Sequence, residues 1–210
     1  MKYQMTGRLA ATAFAALMLG ACATSSGHTK AENTNDRFQK AKDLLAQTKT
    51  QVDASMDAAN NLVDPSTTDS VAAYNRFAKA VGEMKKRAEK LKEGIAEADK
   101  SLKEYFAAWE KEGSQITDPD LRRASVERRT QHYGATQQML VTVNSASNGI
   151  TEFLKTLEDA KRFANFNMTP ESVATLQPIV DRAARQADSV KGDLDAAVLH
   201  IDEAAQSTMN

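Results

Sequence analysis

Between Ser70 and Glu112 the apolar side chains recur in alternating steps of three and four residues over a stretch too long for any single element of a compact domain. Tyr74, Val81, Ala88, Ile95, Leu102 and Trp109 hold one position of the repeat, and Phe77, Met84, Leu91, Ala98 and Tyr105 hold the other. A 3.5-residue period keeps such a stripe on one face of a helix and demands an apolar partner along its whole length. At 1.5 Å per residue a helix of about 42 residues reaches roughly 63 Å, well beyond the span of a globule of this mass. The sequence therefore predicts a rod, with the rest of the chain running beside it.

The remaining segments follow the same pattern. From Asp36 to Val63, Phe38, Leu45, Val52 and Ala59 recur every seventh residue, with Ala41, Met56 and Leu62 widening the stripe. Asp64-Pro65-Ser66-Thr67-Thr68-Asp69 ends that helix, because proline disfavours helix in the residue before it and the polar residues suit turns and caps. After a link from Gly113 to Thr117, Asp118-Pro119 opens a third helix with a side-chain acceptor at the cap and a ring at the first helical position. Its seam runs Met139, Val143, Ala146, Ile150, Phe153, Leu157, Ala160 and Ala164, while the polar turns from Arg122 to His132 are expected to project past the core. Asn165 to Met168 interrupts the pattern and Thr169-Pro170-Glu171-Ser172 opens a fourth helix by the same chemistry. There Val173, Val180, Ala187, Leu194 and Ile201 alternate with Leu176, Ala183, Val190, Ala197 and Ala204, and Pro178 is expected to kink the helix near its start.

Helices at about 36–63, 70–112, 118–164 and 170–206 thus make one domain, 36–207. Short connections between long helices make successive neighbours antiparallel. The expected fold is all-α: an elongated antiparallel four-helix bundle built of coiled-coil hairpins, with the fourth helix lying against the longer hairpin. The alternative is an extended coiled coil whose first helix is dissociated or pairs in trans. Abundant strong helix formers and only four prolines oppose a sheet-rich reading. Gly82 and Gly94, beside the second seam, mark close helix approach or mild flexibility.

Residues 1–21 have the form of an export signal: Lys2 and Arg8, an apolar run from Leu9 to Leu19, and the small pair Gly20-Ala21. Leu19-Gly20-Ala21-Cys22 resembles the lipobox of bacterial lipoproteins. The resemblance implies that the Cys22 thiol takes a diacylglycerol, that the chain is cut before it, and that the new amine is acylated. The alternative is an ordinary secretory signal with a chance cysteine. Cys22 is the single cysteine, which excludes any internal disulfide. Two or three acyl chains hold a protein durably where one holds it only marginally, so the mature chain is expected at the membrane without spanning it. Ala23 stands where an inner-membrane retention signal would be Asp, and the resemblance accordingly implies the outer membrane, facing the periplasm. Residues 22–35, with Ser25-Ser26-Gly27 and no apolar periodicity, are expected to be a flexible tether.

A net charge of −1 with both signs well mixed gives no field for nucleic acid. Di-iron bundles need Glu-x-x-His pairs to bring carboxylate and imidazole to one centre, and neither His132 nor His200 has an acid three residues before it. Zinc-binding His-Glu motifs, a phosphate-cradling glycine loop and a Gly-x-Ser-x-Gly elbow are not found, so no catalytic residue, metal ligand or cofactor is expected. The paired carboxylates Asp118 and Asp120 suit a helix start better than acid-base work. His132 and His200 are taken as solvated or packed bystanders flanking the seams. Trp109, on the seam, is expected to be a core anchor.

Two basic clusters are candidate interaction surfaces: Lys85, Lys86 and Arg87 on the second helix, and Arg122, Arg123, Arg128 and Arg129 on the third. Antiparallel pairing brings the latter near Lys103 and Lys111 at a hairpin tip, within reach of anionic headgroups or cell-wall carboxylates. Glu104, Glu110, Glu112 and Glu127 share that zone, and a solvated face of mixed charge is the competing reading.

Ala108-Trp109-Glu110 ending one long helix, Leu121-Arg122-Arg123-Ala124-Ser125 opening the next, Tyr133 two turns on and Phe153-Leu154-Lys155 further along carry a second resemblance. In them the chain is similar to a family of bacterial, mostly Gram-negative, helical lipoproteins grouped as a domain of unknown function. The likeness covers most of the mature chain and departs at Phe163 to Met168, where the family has a stretch containing histidine and asparagine. It implies helical hairpins at the envelope and no catalytic residues. The functional expectation is a non-enzymatic structural or adaptor lipoprotein that docks an envelope protein or the cell wall. The alternative is a periplasmic protein whose amphipathic helices open to cover lipid or another hydrophobic ligand.

Overall fold

The computed structural model describes residues 27–166 and 169–209, so the signal, the lipobox and Cys22 lie outside the described residues. Four helices account for nearly all of it: α1 (Gly27–Val63), α2 (Ser70–Gly113), α3 (Pro119–Phe166) and α4 (Pro170–Met209), with no strand among the described residues. The all-α bundle read from the seams is the fold.

Cross-helix bonds fix the register. Along α1 and α2, Gln51 donates to the Ala80 carbonyl at 3.3 Å, Arg37 pairs with Glu97, and Lys30 lies 3.9 Å from Glu104. One partner climbs as the other descends, so the two are antiparallel. Lys42 to Asp202 at 2.5 Å, Lys49 to Asp195 at 2.6 Å and Lys191 to Asp53 at 3.2 Å make an antiparallel ladder between α1 and α4. The Tyr74 hydroxyl donates to Asn165 Oδ1 at 2.7 Å, tying the start of α2 to the end of α3. Each helix packs on its two neighbours in the ring α1-α2-α3-α4, with α1 closing against α4. The first helix thus belongs to its own chain's bundle. Exposed ion pairs of this kind add little stability, but they specify which turn faces which.

The core is continuous along the ring. Phe38, Leu45 and Val52 of α1, Phe77, Val81 and Leu91 of α2, Ile150, Phe153 and Leu157 of α3, and Leu176, Val190 and Leu194 of α4 are all buried in one cluster. The helix starts use the anticipated chemistry. Asp69 Oδ1 accepts from the Ala72 amide at 2.9 Å, Asp118 Oδ1 from the amides of Asp120 and Leu121, both at 2.9 Å, and Thr169 Oγ1 from the Ser172 amide. Pro178 stays inside α4 on an exposed face, and exposed Ala174, whose carbonyl the missing proline N–H leaves without its helical donor, has water within reach.

Two sequence expectations need correction. Helix α1 begins at Gly27, not Asp36, so the stretch from 27 to 35 is helix and not tether. Its register is held by Thr34, which is fully buried and shares a 3.0 Å hydrogen bond with Ser101 of α2. Thr34, Ala41, Thr48, Ser55 and Leu62 form a second seven-residue series on α1 that an apolar-only reading passes over. The hydroxyls of Thr34, Thr48 and Ser55 donate to carbonyls one turn back, at 2.8, 2.6 and 2.7 Å, so burying them leaves no donor unsatisfied. The α3 seam likewise starts earlier than expected, with His132 and Thr136 buried ahead of Met139.

Candidate functional site

Beyond the start of α1, about a turn past the level where Lys30 meets Glu104, α2 and α3 continue as a two-helix hairpin that neither α1 nor α4 encloses. Its root is aromatic. Tyr105 packs on Phe106 and on Trp109 with ring centroids 5.3 and 5.6 Å apart, Phe106 on Tyr133 at 5.4 Å, and Trp109 meets His132 edge-on at 5.1 Å. Trp109 is only half-buried, which corrects its assignment as a core anchor. Its indole N–H donates to Ser125 Oγ at 3.0 Å, so the polar edge is satisfied across the hairpin while one face packs. The seam position predicted an inward direction, and there are too few helices at this level to cover a ring of that size.

His132 is 6% exposed, and its Nδ1 is buried without a hydrogen-bond partner. Burial, with Arg128 nearby adding repulsion, holds its pKa below the ordinary imidazole value. Burial also pushes the Tyr105 hydroxyl up, against a smaller opposing pull from Arg128. On the outer face of the hairpin Leu102, Phe106, Tyr133 and Leu140 floor an open groove of about 500 Å³, rimmed by Lys103, Asp99, Arg129 and Glu110. Each rim cation already faces a rim anion: Lys103 bonds Asp99 at 2.5 Å and Arg129 lies 3.5 Å from Glu110.

The structure does not bring the two basic clusters together. Lys85, Lys86 and Arg87 sit midway along α2, about 36 Å of helix from Lys111. Lys86 pairs with Glu83 at 2.9 Å, and Arg87 donates to Gln47 of α1. At the hairpin end Arg122 donates through Nε and Nη2 to the Ile116 carbonyl at 2.8 and 2.6 Å, clasping the loop, while Arg123 pairs with Asp120. Arg129 is held by Glu110, and Arg128 is exposed close enough to act electrostatically on His132 and Tyr105. The expected proximity of Lys103 to this cluster appears as the groove that Lys103 shares with Arg129. What the basic residues make is a neutralised, mixed-charge hairpin end, with Leu121 64% and Val126 50% exposed among the charges. His200 bonds Glu203 on its own helix at 2.9 Å. Among the described residues no three His, Cys, Asp or Glu side chains gather as metal ligands, and no helix is long and apolar enough to cross a membrane.

Comparison with known families matches residues 21–207 to a family described as "Protein of unknown function (DUF2959)". Comparison with curated proteins and with solved structures gives no match.

Proposed function

We propose that this chain, which belongs to that family of proteins of unknown function, is a non-enzymatic lipoprotein of the cell envelope, a lipid-moored rod that presents its surface to an envelope protein or the cell wall. The observation that carries the reading is the pairing of Leu19-Gly20-Ala21-Cys22 with a body whose seam is filled by packed side chains along its length. The likeness of that stretch to a lipobox implies alkylation of the Cys22 thiol. A filled helical rod offers length and surface to a partner. The proposed location is the outer membrane, facing the periplasm. The lipid-covering alternative requires α1 to part from α4 along the Lys42, Lys49 and Lys191 ladder.

Metabolic labelling with an alkyne fatty acid should mark the wild-type protein and leave Cys22→Ser unmarked, with the unmarked variant released from the membrane fraction. Equal membrane retention without label would refute the anchor. Photocrosslinkers at Arg123 and Lys86, read by mass spectrometry from whole cells, should capture an envelope component at one position. If both positions repeatedly return nothing, the adaptor role fails. Floating the unlipidated body with liposomes tests the alternative, which predicts co-flotation and a change in helicity.

A further inference from the structure

We infer that the α2/α3 hairpin end is the foot on which the rod stands: it rests against the lipid headgroups, and the α1/α2 and α3/α4 turns point away from the bilayer. The inference rests on the acylation of Cys22 proposed above and adds an orientation and a contact surface.

The argument is one of chain length. Helix α1 starts at Gly27, five positions after Cys22. Whatever their conformation, those positions span at most about 17 Å, so an acylated Cys22 holds the start of α1 within that distance of the headgroups. Lys30, in the first turn of α1, is level with Glu104. From Glu104, α2 runs on toward the same end as far as Gly113, about 13.5 Å further along the axis, while α1 extends only about 4.5 Å past Lys30 before its described start. The hairpin therefore overhangs the start of α1 by about 9 Å, before the loop from Ser114 to Asp118 adds its own thickness. Those five positions at full extension exceed the overhang by only about 8 Å, and the loop takes up part of that, so the tip stays close to the bilayer.

The surface at that end suits a headgroup layer better than a purely anionic sheet. Leu121 and Val126 stand out from it, Ile116 is half-exposed in the loop, Arg123 pairs with Asp120, and exposed Lys111 is followed by exposed Glu112. Apolar side chains interleaved with charges of both signs match an interface that carries phosphate and ammonium groups over the ends of acyl chains. At the opposite end Val71 and Phe166, 66% and 86% exposed, are carried away from the membrane.

Once acylated, Cys22 has no free thiol, so one introduced cysteine can be labelled alone. Leu121→Cys and Phe166→Cys, both at exposed positions, would each be purified in lipidated form and coupled to an environment-sensitive nitrobenzoxadiazole dye. Each would then be reconstituted into phosphatidylcholine/phosphatidylglycerol vesicles with or without headgroup spin-labelled lipid. The dye at Leu121→Cys should shift to shorter wavelength and be quenched by the spin label, while the dye at Phe166→Cys does neither. Quenching at both positions would mean a rod lying flat, and quenching at neither would mean a rod held off the surface; either overturns the inference. The mass of the N-terminal peptide separates this from failure of the premise. An unmodified Cys22 removes both readings, whereas an acylated Cys22 with an unquenched Leu121→Cys label removes this one alone.

Discussion

Two glycines inside α2, alike in sequence context, should respond to alanine in different ways, because the structure gives them different neighbours. A methyl group at Gly82 would meet nothing within 4 Å outside its own helix, so Gly82→Ala should only reduce the freedom of the unfolded chain and stabilise by about 0.5–1 kcal/mol. At Gly94 the same methyl would overlap Leu44 Cδ1, the far end of a half-buried side chain on α1. Moving Leu44 off its rotamer costs about 0.5–1.5 kcal/mol, which cancels or outweighs the backbone gain. Gly94→Ala should therefore be neutral to mildly destabilising in the wild type. In a Leu44→Ala background the obstacle is gone, and the same substitution should recover the full gain. The two positions should couple by about 0.5–1.5 kcal/mol in a double-mutant cycle. Urea unfolding followed by circular dichroism reads each corner, and each kcal/mol should move the melting temperature by about 2–4 °C in a chain of this size. A Gly94→Ala variant as stabilised as Gly82→Ala, with no coupling to Leu44, would show that α1 does not approach α2 at this turn.

Phe77 is fully buried in α2, and Phe77→Ala should destabilise by about 3–5 kcal/mol; a loss below about 1 kcal/mol in urea unfolding would contradict the continuous core. Burial lowers the His132 pKa in the fold, so the folded imidazole takes a proton only at lower pH than the unfolded one, which does so below about pH 6.5. Its contribution is complete above that pH and is lost as pH falls from there toward the lower folded value, because the unfolded state then binds more protons. Wild type should lose more melting temperature than His132→Gln between pH 7.5 and 5.5, a range bracketing about 6.5, and parallel losses would contradict the assignment.

Most of the architecture was legible because apolar stripes at helical spacing have few alternatives. Ile150, Phe153 and Leu157, read as one seam, are buried as one seam. What escaped depended on two kinds of information that side-chain polarity does not carry. Thr34, Thr48 and Ser55 occupy seam positions as hydroxyls that bond back to their own helix, and because Thr34 lies ahead of Asp36, an apolar-only reading started α1 too late. The seven-residue spacing of that series was the available signal. Trp109 obeys the repeat but lies where only two helices remain, and its exposure depends on where α1 and α4 stop. Of the basic residues, Lys86 and Arg123 had their acidic partners three positions earlier on the same helix, a pairing readable in advance. The link from Arg129 to Glu110 required the hairpin register.

Helices α1 and α4 are neighbours, and this sets an order of events for a chain synthesised from its N-terminus. The α1/α2 and α3/α4 pairs join segments close in sequence and can zip locally. The α1/α4 ladder joins residues as much as 160 positions apart and is slow by the same entropy that makes distant loops hard to close. Until α4 has emerged, α1 and α3 each keep an oily flank bare, so a chain truncated before Pro170 would be left with sticky helices that seek partners in other copies.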